Sequence, residues 1–395
     1  MKPIRIAHIS DTHLGYRALG KTDHLTGRNQ RSIDVENAFA DAITDILQRG
    51  VDLVVHSGDL FNQTRPPYAA IGAAMRQFRR LEQAGIPTVV IGGNHDTPRL
   101  RSSGSVFSLL SLVAPETHFV GGYDSKPIPF PELDLTVTAI PHGRLTEPLP
   151  PAAFPNPDTR NVLITHGFVP GMEPLTHREP GEEEVDETLL PPDFDYIALG
   201  HYHIREKVRE NAWYAGSTER FGFGDIPVET GYLVVELGER GAPPQVETIR
   251  TSARPMLRWK LEEEWTNEKD AVQIAAYILE WLKEENEPEA MAMAVVFGVP
   301  RAVRRQVEQI LREEAKELVW SVQVRGASDI LAGMGRERVD LPTIDLEALF
   351  ARFVETELAN GNHDAAFSAR FAEIGLTELR AAQALVAAAV ANEDA

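Results

Sequence analysis

The chain has 395 residues, of which 43% are hydrophobic and 25% charged, a globular composition long enough for two or three domains. It contains no cysteine, which excludes disulfides and thiolate metal sites, and its formal net charge of −20 argues against a general affinity for nucleic acid. No stretch approaches the roughly 18 uncharged apolar residues of a membrane span. The N-terminus lacks the apolar region of a signal peptide, so we expect a cytoplasmic protein.

The first 250 residues alternate between strand and helix patterns. Apolar runs bounded by turn residues predict strands at Ile4–Ile9, Asp52–His56, Ile86–Ile91, Leu135–Ala139, Asn161–Thr165, Tyr196–Leu199 and Gly231–Leu237. Amphipathic patterns predict helices at Val35–Arg49 and Tyr68–Gln83. This alternation predicts an α/β fold with largely parallel strands. The Pro-, Gly- and Glu-rich stretch Gly167–Pro192 predicts a long surface loop.

The pattern changes from about Pro255 onwards. Strand patterns at Met256–Leu261, Met291–Val299 and Leu318–Val324 alternate with helix patterns at Asp270–Glu285 and Arg301–Lys316 and predict a small α+β domain. The last segment is predicted to be helical, because apolar residues recur at helical spacing at Leu346, Leu349, Phe350 and Phe353, and again at Phe367, Phe371 and Ile374. We therefore predict domains at 1–254 and 255–326, a linker at 327–342 and a helical tail at 343–395.

Five short polar motifs each follow the carboxyl end of a predicted strand. They are Asp11-Thr12-His13, Gly58-Asp59, Gly93-Asn94-His95-Asp96, His166-Gly167 and Gly200-His201-Tyr202-His203. In an open α/β sheet the carboxyl ends of the strands share one edge, and ligands bind at that edge. We therefore expect the five motifs to converge on one cleft.

The side chains of these motifs are typical metal ligands. Carboxylates, imidazoles and a carboxamide suit Mn, Fe, Zn or Mg. Seven ligands are enough for two ions if one ligand bridges them, and the candidates are Asp11, His13, Asp59, Asn94, His166, His201 and His203. Two divalent ions about 3.5–4 Å apart are a known arrangement for phosphoester hydrolysis. Gly-Asp alone is a common turn dipeptide, but all five motifs in this order indicate a two-metal phosphoesterase. His8 and His56 lie inside strand patterns, and we expect them to be buried and hydrogen-bonded.

The order of the motifs resembles that of the calcineurin-like metallophosphoesterases. That resemblance implies a β-sandwich flanked by helices over the first ~240 residues. The endings Leu14-Gly15 and Leu60-Phe61 of the first two motifs are similar to the double-strand-break repair nuclease branch. A core followed by a small α+β capping domain and a C-terminal helical tail resembles the layout of the SbcD-type nuclease subunits within that branch.

The resemblance also assigns roles to the motif residues. It gives Asp11, His13 and His203 to one metal ion, Asn94, His166 and His201 to the other, and makes Asp59 the bridge between two divalent ions, expected to be Mn. The implied catalytic residues are His95, facing the scissile phosphate, and Asp96, orienting His95. A plain helix N-cap before Pro98 is the alternative for Asp96.

The activity implied by the resemblance is DNA exonuclease action on duplex ends and endonuclease action on single-stranded or hairpin DNA. The implied partners are DNA, an SbcC-type ATPase docked on the helical tail, and a second copy of the chain in a homodimer. Candidate dimer helices are Tyr68–Leu81 and Ser105–Leu112, with Ile71, Met75, Phe78, Val106, Phe107 and Leu110 as apolar contacts. Candidate DNA-phosphate contacts are Arg17, Lys21, Arg28, Arg31, Arg99 and Arg101.

Two other interpretations remain open. A phosphoesterase of the same fold acting on nucleotides or other small phosphoesters would not need the second domain and the apolar tail. A non-catalytic scaffold would not need to keep every ligand and His95.

Overall fold

The computed structural model describes residues 2–147, 153–171, 183–260 and 270–326, together with 350, 354, 370–377 and 380. The chain divides into two compact units, Met1–Gly335 and Arg336–Ala395. The predicted linker at 327–342 and the tail residues Leu346, Leu349, Phe353 and Phe367 lie outside the described residues. Within the described residues, no helix is long and apolar enough to cross a membrane.

Two six-stranded sheets form most of the first unit. In chain order their strands are β1 (Ile4–Ile9), β2 (Leu53–His56), β3 (Thr88–Ile91), β4 (His118–Val120), β5 (Lys126–Phe130), β6 (Leu135–Ile140), β7 (Arg160–His166), β8 (Tyr196–Gly200), β9 (Glu206–Arg209), β10 (Ala212–Tyr214), β11 (Gly231–Leu237) and β12 (Gln245–Arg250). The strand order is β12-β11-β1-β2-β3-β4 in one sheet and β5-β6-β7-β8-β10-β9 in the other. The predicted parallel core is confirmed: β1 to β4 run parallel, as do β6, β7, β8 and β10, and antiparallel strands flank them.

Alternate side chains along the strands serve two different cores. Ile6 of β1 packs between the two sheets with Val137 of β6, whereas Ile9 of the same strand packs against Phe39 on the outer face. That outer face is covered by helices α1 (Gln30–Arg49), α2 (Tyr68–Gln83) and α3 (Phe107–Leu110), and a short helix, α4 (His142–Leu145), follows β6. The predicted α/β sandwich flanked by helices is therefore confirmed.

A smaller sheet follows within the same compact unit. Its elements are β13 (Met256–Lys260), α5 (Ala271–Glu285), β14 (Met291–Val296), α6 (Arg301–Glu314) and β15 (Ser321–Gly326), with three parallel strands in the order β13-β14-β15. We call residues 256–326 the three-stranded module. It has its own apolar core, in which Trp259 and Trp281 stack with ring centroids 5.8 Å apart. The domain boundaries predicted from the sequence stay predictions.

The second unit is described at few residues, among which 370–377 are helical. The rings of Phe350 and Phe371 stack with centroids 6.0 Å apart. A Cβ on Gly375 would overlap the Phe350 ring. Gly375 therefore lies inside a helix and leaves room for an aromatic neighbour.

Candidate metal centre

The five motifs meet at one edge, where β1, β2 and β3 of the first sheet and β7 and β8 of the second end. The loop after β1 lies along the loop after β2, since the Asp11 amide donates to the Gly58 carbonyl at 3.1 Å and the His13 amide to the Asp59 carbonyl at 3.0 Å. This is the convergence expected from the shared carboxyl edge of parallel strands.

Potential ligand atoms gather in three groups at this edge, and one of them, His13, Asp59 and His95, shares a residue with each of the other two. Asp11, His13 and His203 form one group, and Asp59, His166 and His201 form another, with the ligand atoms of each group within 4.8 Å of one another. The Asp59 Oδ2 atom lies 3.6 Å from His13 Nε2 and 3.4 Å from His166 Nε2. Asp59 thus stands between the two groups, where a bridging ligand would be needed. We call Asp11, His13 and His203 the first half-site, and Asn94, His166 and His201 the second half-site.

Two acceptor atoms, His166 Nε2 and Asn94 Oδ1, face each other in the second half-site. His166 Nδ1 lies 2.8 Å from the Ser57 carbonyl oxygen, which can only accept, so Nδ1 carries the proton and Nε2 exposes a lone pair. That Nε2 lies 2.9 Å from Asn94 Oδ1, and His201 Nδ1 lies 3.3 Å from the same oxygen. Lone pairs held this close are favourable when a cation sits among them. The residues therefore fit a divalent ion.

Four of the ligand residues have a left-handed backbone, which only glycine adopts easily. The φ angles are 50° at Asp11, 43° at His13, 52° at Asp59 and 107° at His201. Such conformations cost on the order of 1–3 kcal/mol each and collect at functional sites. The surrounding sheets hold the ligands in these positions.

Glycines in the motifs allow the loops to approach closely. A Cβ on Gly58 would overlap the His166 ring, and a Cβ on Gly93 would overlap the Asp59 carboxylate. These two glycines are therefore part of the metal centre, because any larger residue would displace a ligand.

Burial sets the charge of the centre. Burial and the neighbouring Asp59 raise the pKa of Asp11 well above its usual value, and burial lowers the pKa of His13 well below its own. Burial alone would raise the pKa of Asp59, but His166, His13 and His95 hold it well below its usual value. Carboxylate oxygens and imidazole nitrogens together form a donor set suited to divalent cations.

His95 and Asp96 are both at the centre, with partners that the sequence did not predict. The His95 amide donates to Asp59 Oδ1 at 2.9 Å, and its Nδ1 lies 2.8 Å from the Asn62 carbonyl oxygen. The ring sits 4.8 Å from that of His13. The Asn62 carbonyl therefore holds the imidazole in place, and the role of Asp96 in orienting His95 stays a prediction.

Asp96 ties the third motif to the second. Its buried carboxylate accepts from the amides of Leu60 at 3.0 Å, Phe61 at 2.9 Å and Gly93 at 3.1 Å. Burial and the charge of Asp59 raise the pKa of Asp96 to about 7. Among the described residues no helix begins at Asp96, so the N-cap alternative is wrong.

His8 and His56 are buried and hydrogen-bonded, as predicted. His8 contacts the Tyr196 hydroxyl and the Ser57 hydroxyl, each at 2.8 Å, and His56 Nε2 lies 3.2 Å from the Thr12 hydroxyl. Burial lowers the pKa of each to about 3. Both stay neutral beneath the ligand loops.

Two aromatic residues at the centre were missed by the sequence analysis. The half-buried ring of Phe221 packs edge-on against His13 at 4.7 Å and His203 at 4.8 Å, and Tyr16 packs on Phe221 at 5.1 Å. Phe221 belongs to none of the five motifs and follows no strand pattern, so nothing in the sequence marks it.

An open groove of about 1290 Å³ begins at Asn94 and His95 and is lined by Arg65, Arg99 and Arg101. Arg99 and Arg101, two of the predicted DNA contacts, therefore face a space beside the centre, although Arg101 also pairs with Glu147. For Arg31 the prediction of a DNA contact is wrong, since it is 1% exposed and lies within a buried ion cluster.

The six predicted dimer contacts are either buried or partly buried in the core of the single chain. Phe78, Phe107 and Leu110 belong to the core beneath the helices, and Ile71, Met75 and Val106 are partly buried against it. The exposed apolar side chains in this region are Tyr68, Leu100, Leu109 and Leu112.

Comparison with known proteins matches residues 4–205 to the family described as calcineurin-like phosphoesterase. The chain is 28% identical over 233 residues to the DNA double-strand break repair protein Mre11 of Methanococcus maripaludis, covering 56% of this chain and 59% of that protein. It is 32% identical over 253 residues to Mre11 of Haloferax volcanii, covering 62% and 52%. The match to Mre11 of Methanopyrus kandleri is 25% over 374 residues and covers 85% and 76%.

The chain belongs to the calcineurin-like phosphoesterases, since the match spans the five motifs and half of its length. It is a phosphoesterase with residues fit for two divalent ions. The chain spans only a little over half the length of the first two relatives. The SbcD-type assignment stays a prediction, because these relatives carry the name Mre11.

Proposed function

We propose that this protein is a metal-dependent DNA nuclease of the double-strand-break repair branch, acting as an exonuclease on duplex ends and an endonuclease on single-stranded or hairpin DNA. The observation that carries this proposal is the size of the open groove beside the metal centre. Pockets for small substrates usually enclose about 300–1,000 Å³. A groove of about 1290 Å³ with exposed Arg65 and Arg99 in its wall suits an extended polyanion better than a nucleotide. The relatives named Mre11 support the same substrate.

The cofactors of this proposal are two divalent ions, expected to be Mn, one in each half-site with Asp59 shared. When bound, such ions neutralise charge on the phosphate and lower the pKa of an attacking water. The first half-site contributes Asp11, and the second contributes Asn94.

His95 is the proposed catalytic residue. Its Nδ1 proton is bound to the Asn62 carbonyl, so Nε2 is the ring atom left for chemistry. In the doubly protonated imidazolium form, Nε2 would give its proton to the leaving oxygen and keep a lone pair. The bond from its amide to Asp59 fixes the distance between the imidazole and the shared ligand. Asp96 supports this arrangement through the backbone of Leu60 and Gly93.

Arginines of the groove would bind the DNA phosphates. Replacing Arg65 and Arg99 together by Glu should weaken DNA binding by about tenfold or more, because two attractive charges become repulsive. Hydrolysis of bis(p-nitrophenyl) phosphate, which is too small to reach along the groove, should be unchanged. The matched control is Lys126→Glu, an exposed charge reversal on β5 that does not line the groove.

This comparison separates the two candidate substrates. A chain that hydrolyses the small ester but cleaves no DNA, with or without the groove arginines, would contradict the nuclease proposal and favour a small-molecule phosphoesterase. A loss of DNA cleavage confined to the groove variant supports the proposal.

The proposed partner of the tail is an SbcC-type ATPase. Phe371 is 40% exposed and Ile374 49% exposed on the helix at 370–377, and apolar side chains presented on one helix suit a groove between partner helices. Truncation after Val339 should remove ATPase binding and leave basal cleavage of single-stranded DNA intact. Retention of full ATPase affinity by the truncated chain would overturn this part of the proposal.

A homodimer is proposed through the exposed apolar residues near α2 and α3. Tyr68 and Leu112 are 93% and 80% exposed, and neither is needed for the core. Leu112→Glu should convert a dimer at micromolar concentration to a monomer in sedimentation velocity. A wild-type chain that sediments only as a monomer would rule the dimer out.

A further inference from the structure

Two basic residues, Arg254 and Lys21, attach the three-stranded module to the sandwich. Lys21 Nζ donates to the Trp320 carbonyl and lies 4.1 Å from the centroid of the Trp320 ring. Arg254, directly before the module, makes a two-pronged salt bridge to Asp34 of α1, with Nε–Oδ2 at 2.8 Å and Nη2–Oδ1 at 2.9 Å. Its third nitrogen, Nη1, donates to the carbonyl of Glu289 at 2.9 Å and to the carboxylate of Glu289 at 3.0 Å. The guanidinium also lies 4.6 Å from the ring centroid of Trp320. Glu289 and Trp320 both belong to the module.

The attachment continues into a buried charge cluster. Asp34 also accepts from Arg31 at 2.6 Å, and the second arm of Arg31 lies 3.4 Å from the carboxylate of Glu219. Arg31 and Glu219 are each 1% exposed. Glu219 in turn accepts from the backbone amide of Arg254 at 3.2 Å. Separating such a buried ion pair would leave an unpaired charge away from water, at a high cost in free energy. These side chains are therefore held in fixed positions.

The cluster ends beside the metal centre. Arg31 donates to the backbone carbonyl of Arg220, and the Arg220 side chain donates to the Arg254 carbonyl at 3.3 Å. The next residue is Phe221, whose amide donates to Asp225 at 2.7 Å. The Phe221 ring contacts the imidazoles of His13 and His203. An unbroken series of contacts therefore joins the module to two ligands of the first half-site.

We propose that Arg254 and Phe221 are positioning residues that couple the seating of the three-stranded module to the placement of the His13 and His203 imidazoles. The inference rests on the proposed two-metal site, and it does not depend on the identity of the substrate. The module would thus influence the affinity for metal from outside the metal centre.

The coupling is selective for one half-site. In the second half-site the Ser57 carbonyl orients His166, and Asn94 lies between His166 and His201, whose amide donates to Asp11 at 3.1 Å. The Phe221 ring packs on His13 and His203 of the first half-site. Loosening the module should therefore weaken one ion and spare the other. A purely structural role for Arg254 would lower stability without this selectivity.

The test is Mn²⁺ binding to the full chain by isothermal titration and electron paramagnetic resonance, with thermal unfolding measured alongside. His203→Ala, which removes a ligand of the first half-site, identifies the binding step that belongs to that half-site. Arg254→Gln should weaken the same step by about 10-fold, the lower end of the effect usual for residues behind a metal ligand, and leave the other step unchanged. Trp320→Leu, a change within the module, should act in the same direction if Arg254→Gln fails to fold.

A double variant shows whether Phe221 carries the effect. Phe221→Leu should weaken the same step, and adding Arg254→Gln to it should cause no further loss, because both act through one contact. The control is Arg250→Gln, an exposed arginine paired with Glu229 on the same segment, which should match the wild type.

Three results would overturn the inference: unchanged Mn²⁺ binding with lowered stability, equal weakening of both steps, or additive effects of the two substitutions. If the wild-type chain bound no Mn²⁺, the proposed two-metal function would fail as well. If it bound two ions with the predicted selectivity but cleaved no DNA, only the nuclease proposal would fail.

Discussion

The two half-sites use similar side chains but are supported by different parts of the molecule. In the second half-site, His166 is oriented by the Ser57 carbonyl at the end of β2, and Asn94 lies between His166 and His201. In the first, His13 and His203 pack on Phe221, whose backbone is tied to Arg31 and Arg254. The second half-site is thus tied to the end of β2, whereas the first has contacts that lead to the three-stranded module. We therefore expect two half-sites with similar side chains to differ in how much a distant substitution weakens metal binding.

The largest effect should come from the residue that both half-sites share. Asp59→Ala removes the oxygen that lies 3.6 Å from His13 and 3.4 Å from His166, so both ions should bind weakly. We expect phosphodiester hydrolysis to fall by more than about 10⁴-fold, as for other central catalytic groups. Metal analysis and hydrolysis of bis(p-nitrophenyl) phosphate check this. Retention of one ion at wild-type affinity would show that Asp59 is not shared.

Replacing His95 should separate metal binding from chemistry. His95→Gln removes the proton donor while the Asp59 contact, which is made by the backbone amide, remains possible. Hydrolysis should fall by about 10²–10⁴-fold with both ions retained. If elemental analysis showed that the variant had lost either ion, His95 would be a metal ligand. Because its ring lies near that of His13, it would then belong to the first half-site.

Adding a single methyl group at Gly93 should displace the carboxylate of Asp59, the ligand that the two half-sites share. Gly93→Ala places a Cβ against the Asp59 carboxylate, and we expect Mn²⁺ affinity to fall by about 10–100-fold. Gly72→Ala is the matched control, since Gly72 lies in α2 and a Cβ there meets only the end of the Arg76 side chain, at 3.4 Å. Equal Mn²⁺ affinity for the two variants would contradict the close approach of Gly93 to Asp59.

The smallest effect should be on the acid stability of the charge cluster. Burial would raise the pKa of Asp34, but the hydrogen bonds and charge of Arg254 bring it below its usual value. Its stabilising contribution is therefore complete above about pH 4 and is lost as the pH falls further. Asp34→Asn should lower the free energy of unfolding by about 2 kcal/mol at pH 7. In urea titrations this difference from the wild type should shrink below pH 4, and a constant difference would contradict the assignment.

The sequence predicts the metal centre because its ligands obey a topological rule. Motifs after β1, β2, β3, β7 and β8 are far apart in the chain, and parallel strands bring their carboxyl ends together. The edge strands were harder to predict. Of these, β5 contains Pro127 and Pro129, residues that suit an edge because they donate no ladder hydrogen bond.

Long-range polar contacts could not be predicted from local patterns. Helix α1 begins at Gln30, five residues before the predicted start at Val35. The prediction began too late because Arg31 and Asp34, which are buried in the structure, look like surface residues in the sequence. Their partners Glu219 and Arg254 lie about 190 and 220 residues away. For the same reason Phe221 has no sequence signal, although it touches two ligands.

The proposed two-metal nuclease is tested most directly by cleavage of single-stranded and duplex DNA in excess chelator and after addition of Mn²⁺. Chelation should abolish cleavage of both substrates, and Mn²⁺ should restore it in the wild type but not in Asp59→Ala. Full cleavage in excess chelator, or no cleavage of either DNA by a chain that holds two Mn²⁺ ions and hydrolyses a small phosphodiester, would contradict the proposal.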